Sequence, residues 1–91
     1  MKREDVFRAI RAERKRQDQL HPEFQEFSAA EAAAVLAEEC GETVKELNAL
    51  QWNEPGHTNE MLVEELIHTA AVAVRILEGL RFARMPETEH K

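Results

Sequence analysis

The stretch LAEECGETVKEL, residues 36–47, sets Glu38, Glu39, Glu42 and Glu46 close together with only Lys45 to answer them. At about 100° per residue of a helix, Leu36, Leu47 and Leu50 make one apolar stripe with Val35 at its edge. Glu39 and Glu46 fall inside that stripe, Glu42 falls on its border, and Glu38 points away. Like charges one turn apart each destabilise a helix by about 0.2–0.5 kcal/mol, and carboxylates drawn toward an apolar face also lose hydration. Gly41 in mid-helix adds about 1 kcal/mol relative to alanine. A divalent cation offsets this cost, because Mg²⁺ and Mn²⁺ favour carboxylate oxygens and turn repulsion into coordination.

On either side of this stretch the pattern stays helical. Only three glycines and three prolines interrupt 91 residues, and apolar residues recur at helical rather than alternating spacing. The expectation is an all-α domain spanning 1–91, an antiparallel bundle of three main helices. The first helix runs from about Glu4 to Leu20, with Val6, Phe7 and Ile10 as its apolar face, and His21, Pro22 and Glu23 end it. Ser28 followed by Glu31 is a capping-box signature that opens the second helix, which continues to about Leu50. Asn53, Pro55 and Gly56 break the pattern, and Thr58 or Asn59 caps a third helix that runs to roughly Phe82. The polar tail from about Met85 frays.

The third helix repeats the arrangement of the second. Glu65 sits among Leu62, Leu66, Val72, Ala73, Ile76, Leu77 and Leu80, and His68 has the same offset from Glu65 that Glu42 has from Glu39. Short connections make the two helices antiparallel neighbours, which lets both acidic edges meet around one ion site. Any single glutamate on a helix is more often a solvated surface residue. A solvated face has no reason to repeat the four-member pattern at the same phase on two helices. The apolar arc of the third helix, from Val72 round to Ile67, requires more than one packing partner.

Composition narrows the partners. Eighteen acidic against twelve basic residues give a net charge of −6, which opposes general affinity for nucleic acid or anionic membranes. A chain this short buries a modest core even at 43% hydrophobic content, so completion by homo-oligomerisation is expected. One cysteine excludes an intrachain disulfide, no zinc spacing is present, and no apolar run has signal-peptide or membrane-span length, which fits a cytoplasmic protein.

The order EExxE on one helix, then ExxD on the next, resembles the signature of the MazG-like all-α nucleoside triphosphate pyrophosphohydrolases. Here it reads Glu38, Glu39, Glu42, then Glu65 and position 68. RAERKRQ, LAEECGETVKELNAL and EELIHTAAVAVRILEGL are similar to the three helices of a compact bacterial and phage subgroup, so the resemblance covers about residues 10–80. It implies a Mg²⁺-dependent enzyme, with Mn²⁺ as an alternative ion, that cleaves a nucleoside or deoxynucleoside triphosphate to the monophosphate and pyrophosphate. It also implies a homodimer or homotetramer. Glu39, Glu42 and Glu65 are the expected metal ligands, and Glu38 a group that orients or deprotonates water. The chain departs from the pattern at His68, where the family has Asp. Imidazole binds Mg²⁺ poorly and suits Mn²⁺, Fe²⁺ or Zn²⁺ better, so His68 is either a ligand with a changed metal preference or simply a hydrogen-bonded residue.

Lys45 and Arg75 are placed to reach a polyphosphate, or else serve as ion-pair partners. Trp52 either stacks on a nucleobase or covers the end of the core, the latter being the commoner role. The basic run of the first helix reads as a solvated face. Cys40 reads as a small packing residue. Besides the hydrolase, two other readings fit: a MazG-like module that binds nucleotide or metal without turnover, and a structural helical oligomerisation protein.

Overall fold

The computed structural model describes residues 1–79 and is helical throughout its regular segments: α1 Arg3–Leu20, a 3₁₀ helix at Pro22–Glu26, α2 Ala29–Gln51 and α3 Asn59–Gly79. The expected end of the third helix near Phe82 and the tail from Met85 lie outside the described residues. Among the described residues, no helix is long and apolar enough to cross a membrane.

Local chemistry sets the boundaries. Ser28 Oγ accepts from the Glu31 amide at 3.2 Å and Glu31 Oε1 accepts from the Ser28 amide at 2.9 Å, so two orphan donors at the start of α2 are satisfied reciprocally. At its other end the Glu54 amide reaches the Ala49 carbonyl and the Asn53 amide the Leu50 carbonyl. Asn53 adopts the left-handed conformation this closure requires, with φ of 54°. Gly56, at φ 86°, turns the chain again. Thr58 then caps α3, its Oγ1 accepting from the Met61 amide at 3.2 Å.

Helix α3 packs against both of the others, as its wide apolar arc requires. Glu46 meets His57, while Thr43 meets Glu65 and Thr69, so α2 and α3 run antiparallel. Glu13 meets His68 and Asp18 meets Arg75, so α1 runs parallel to α3 on another side. The buried centre is small: Phe24, Ala32 and Val72, with Phe27, Val35, Leu36 and Ile76 packed on it. Phe24 enters through the 3₁₀ helix, a turn the sequence pattern did not announce. Its ring lies 4.5 Å from the Arg75 guanidinium and 5.2 Å from the Phe27 ring.

Three helices do not cover all the apolar arcs. Phe7, Val44, Leu47, Leu66 and Leu77 are about half exposed or more, although Phe7 was expected on the inner face of α1 and the leucines within the inner stripes. Cys40 is exposed as well, and so is not the packing residue its phase suggested. The reason is geometric. Helices α1 and α2 each present one side to α3, and the remainder of an apolar stripe has no neighbour among the described residues.

A methyl group built on Gly41 meets nothing within 4 Å. Gly41→Ala is therefore expected to stabilise the fold by about 0.5–1 kcal/mol through helix propensity alone, measured by thermal or urea denaturation. A loss of stability would mean that this face of α2 packs against something beyond the described residues.

Candidate metal centre

The contact between α2 and α3 is set by two hydroxyls. Thr69 Oγ1 donates to the Glu65 carbonyl at 2.9 Å, and Thr43 Oγ1 lies 3.1 Å from Thr69 Oγ1 and 3.1 Å from the Glu39 carbonyl. Each threonine sits one turn beyond a glutamate, so pairing the hydroxyls fixes the helical register that brings the glutamates together. Ligand atoms of Glu39, Glu65 and His68 then lie within 4.8 Å of one another. Ligands bound to one ion at about 2.0–2.2 Å stand roughly 3 Å apart in adjacent positions and about 4 Å apart when opposed. From the 4.8 Å limit, closing the set around an ion would draw an opposed pair together by up to about 0.8 Å and an adjacent pair by up to about 1.8 Å.

Of the three buried side-chain oxygens without a hydrogen-bond partner among the described residues, one is Gln17 Oε1 on α1 and the other two lie at this contact. Glu39 Oε2 and Glu65 Oε2 are shielded from solvent and have no hydrogen-bond partner, although both side chains are otherwise only half-buried. Burial pushes the Glu39 carboxyl above its ordinary range and the charge of Glu42 adds to it, while His68 pulls the other way. Burial likewise raises Glu65, followed by the Glu42 carboxylate beside it and then by Glu39. Two hard oxygens and an imidazole nitrogen, short of positive charge, suit a divalent cation.

The remaining expected site residues lie around this centre. Glu42 is exposed, close enough to act electrostatically on both buried glutamates. Glu38 is exposed and lines a cavity of about 420 Å³ together with Glu39, His68 and Arg75. Lys45 and Trp52 are exposed and do not line it. At 74% exposure Trp52 does not cover the end of the core. Arg75 borders the cavity but is 2% exposed, and its donors serve the fold: Nε to Asp18 Oδ1 at 2.9 Å and Nη2 to the His21 carbonyl at 2.8 Å. Glu46, placed within the apolar stripe by phase, is indeed buried and pairs with His57 Nδ1 at 2.9 Å, which ties the α2–α3 connection to α2.

Two residues of α1 escaped the sequence reading. Glu13 and Gln17 are buried against α3, although their segment had been read as a solvated basic face. Arg16 grips Glu13 through both carboxylate oxygens, at 2.7 and 3.0 Å. Burial opposes ionisation of Glu13, but the hydrogen bonds from Arg16 and Gln17 and the charges of His68 and Arg16 together carry it below the ordinary carboxyl range. The signal was present: Val6, Ile10, Glu13 and Gln17 follow one another at spacings of four, three and four along a single helical stripe.

Comparison with protein-family models, with curated proteins and with solved structures gives no match for this chain. What can be said of its class therefore rests on the fold and the site: an all-α protein with a glutamate, glutamate and histidine cluster at a helix–helix contact.

The raised carboxyls carry a definite pH dependence. A carboxyl whose folded value lies above 4.5 binds protons more readily folded than unfolded, so stability falls as pH rises from the ordinary value through the raised one. In chelator, Glu39→Gln or Glu65→Gln is expected to raise the melting temperature near neutral pH. The gain should shrink on acidification and vanish below about pH 3, more than a unit under the ordinary carboxyl value, where both states are neutral. A gain that persists unchanged at low pH would show that the penalty is not one of ionisation.

Proposed function

We propose that the chain is a metal-dependent, MazG-like nucleoside or deoxynucleoside triphosphate pyrophosphohydrolase, yielding the monophosphate and pyrophosphate. The observation that carries this reading is the convergence of Glu39, Glu65 and His68, with two buried carboxylate oxygens lacking any donor. It coincides with the spacing of the EExxE and ExxD resemblance. Glu39, Glu65 and His68 hold the ion, Mg²⁺ or Mn²⁺, with Glu42 completing the acidic edge. When bound, that ion supplies charge neutralisation for the triphosphate.

The chain's own residues perform the remaining tasks. Glu38, at the wall of the adjoining cavity, orients or deprotonates the attacking water. Arg75, fixed by Asp18 and the His21 carbonyl, contributes a stationary positive charge to that cavity. Lys45 and Trp52, exposed on α2 and at its C-terminal cap, reach substrate only if it extends beyond the cavity. Homo-oligomerisation, as dimer or tetramer, is part of the proposal. The exposed Val44, Leu47, Leu66 and Leu77 form apolar surface that a second copy would bury.

A second reading is favoured by His68 itself. Imidazole in place of a carboxylate removes one negative charge from the centre, which suits a module that binds nucleotide or metal without turnover.

Pyrophosphate release from a panel of ribo- and deoxyribonucleoside triphosphates, with Mg²⁺ and separately Mn²⁺, decides between them. The hydrolase reading expects metal-dependent release that drops by at least about 10²-fold in Glu39→Gln and Glu65→Gln, as for loss of a group that stabilises transition-state charge. Folded protein that binds an ion but releases no pyrophosphate from any member of the panel would establish the binding module instead.

A further inference from the structure

Glu13 is a charged side chain in a position where the α1 stripe calls for an apolar one. It is 9% exposed, and its hydrogen bonds to Arg16 and Gln17 are made within α1, at separations of three and four residues. Those bonds keep the carboxylate ionised and aimed, but they do not join α1 to anything. Across the helix contact its nearest charged partner is His68, with Oε2 3.6 Å from Nε2, an ion-pair contact longer than a hydrogen bond, and its charge is also felt by Glu39. Gln17 reinforces the aim, since its Nε2 donates both to Glu13 Oε2 at 2.9 Å and to the His68 carbonyl at 3.2 Å. Glu64 stands on the same side of the ring, 3.9 Å from Nε2, but is largely exposed. If Nε2 is engaged by Glu13, an ion shared with Glu39 and Glu65 would be bound through the other ring nitrogen, Nδ1. A leucine at position 13 would bury more favourably, so the carboxylate calls for another explanation.

We propose that Glu13 is the positioning residue for His68 and tunes the cluster toward a late first-row divalent cation over Mg²⁺. This rests on the metal-centre reading above and extends it to the identity of the ion. A carboxylate behind an imidazole fixes the tautomer and ring orientation and raises the basicity of the other nitrogen. Ions toward the nitrogen-seeking end of the series gain from a more basic imidazole, whereas Mg²⁺, which binds imidazole weakly, gains little. The arrangement also accounts for histidine at a position where a third carboxylate would serve Mg²⁺ better.

A double-mutant cycle on the purified full chain tests this, with Co²⁺ as the probe and Mg²⁺ as the reference. Affinities are read by calorimetry, Co²⁺ ligation by its visible absorption, and folding of each variant by circular dichroism. Wild-type protein is expected to bind Co²⁺ more tightly than Mg²⁺. Glu13→Gln should weaken Co²⁺ by about 10–100-fold and shift its spectrum, with little change for Mg²⁺. In the His68→Asp background the same substitution should cost Co²⁺ nothing, because no imidazole remains to be held. Glu13→Asp, which keeps the charge but shortens the reach, should give an intermediate loss and serves in place of Glu13→Gln if that variant does not fold. Equal losses in both backgrounds, or unchanged Co²⁺ affinity in Glu13→Gln, would overturn the proposal while leaving the metal centre intact. Wild-type protein that binds neither ion would overturn both.

Discussion

Two carboxylate oxygens, Glu39 Oε2 and Glu65 Oε2, are shut away from water where α2 meets α3, and no donor meets either of them. An uncompensated arrangement of this kind costs free energy through desolvation and through repulsion between like charges. The fold nevertheless builds it with care. The Thr43 and Thr69 hydroxyls pin the helical register, His68 brings an imidazole to the pair, and α1 packs a buried carboxylate behind that imidazole. Removing the register or α1 would disperse the cluster. The helices are thus arranged around a deficit of positive charge, the condition that a divalent cation relieves.

The same geometry explains where the chain is stable and where it is incomplete. Among the described residues its buried hydrophobic side chains are mostly small, with Phe24 as the one large member, and Arg75 is held there by Asp18, the His21 carbonyl and the Phe24 ring. Polar anchors therefore take over some of the fixing that a larger core would provide. The cost appears on the outside, where half of several leucine and valine side chains remains in water. Metal binding and burial of those faces would each stabilise the native state by mass action.

Much of this was legible in the residues. The Ser28 and Glu31 capping box, the Asn53 to Gly56 break and the Thr58 cap place the helix boundaries, because each is a local hydrogen-bonding event with its own sequence signature. The phase of Glu39, Glu46 and Glu65 within their apolar stripes is legible for the same reason. What lay beyond the pattern was tertiary. Glu13 and Gln17 continue the stripe of Val6 and Ile10, but polar identity disguised them, and only the approach of α3 reveals their burial. Arg75 reads from the sequence either as a phosphate contact or as an ion-pair partner, and its donors go to Asp18 and the His21 carbonyl, more than fifty residues away in sequence. Phe24 enters the core through a 3₁₀ turn that has no apolar periodicity of its own.

The central claim is that the Glu39, Glu65 and His68 cluster exists to hold a cation. Anomalous diffraction at the manganese edge from crystals grown with Mn²⁺ tests it most directly. The account predicts one strong peak at bonding distance, about 2.0–2.3 Å, from oxygens of Glu39 and Glu65 and from a His68 ring nitrogen. A cluster without a peak, in which a proton shared between the two carboxyls satisfies both buried oxygens, would contradict it.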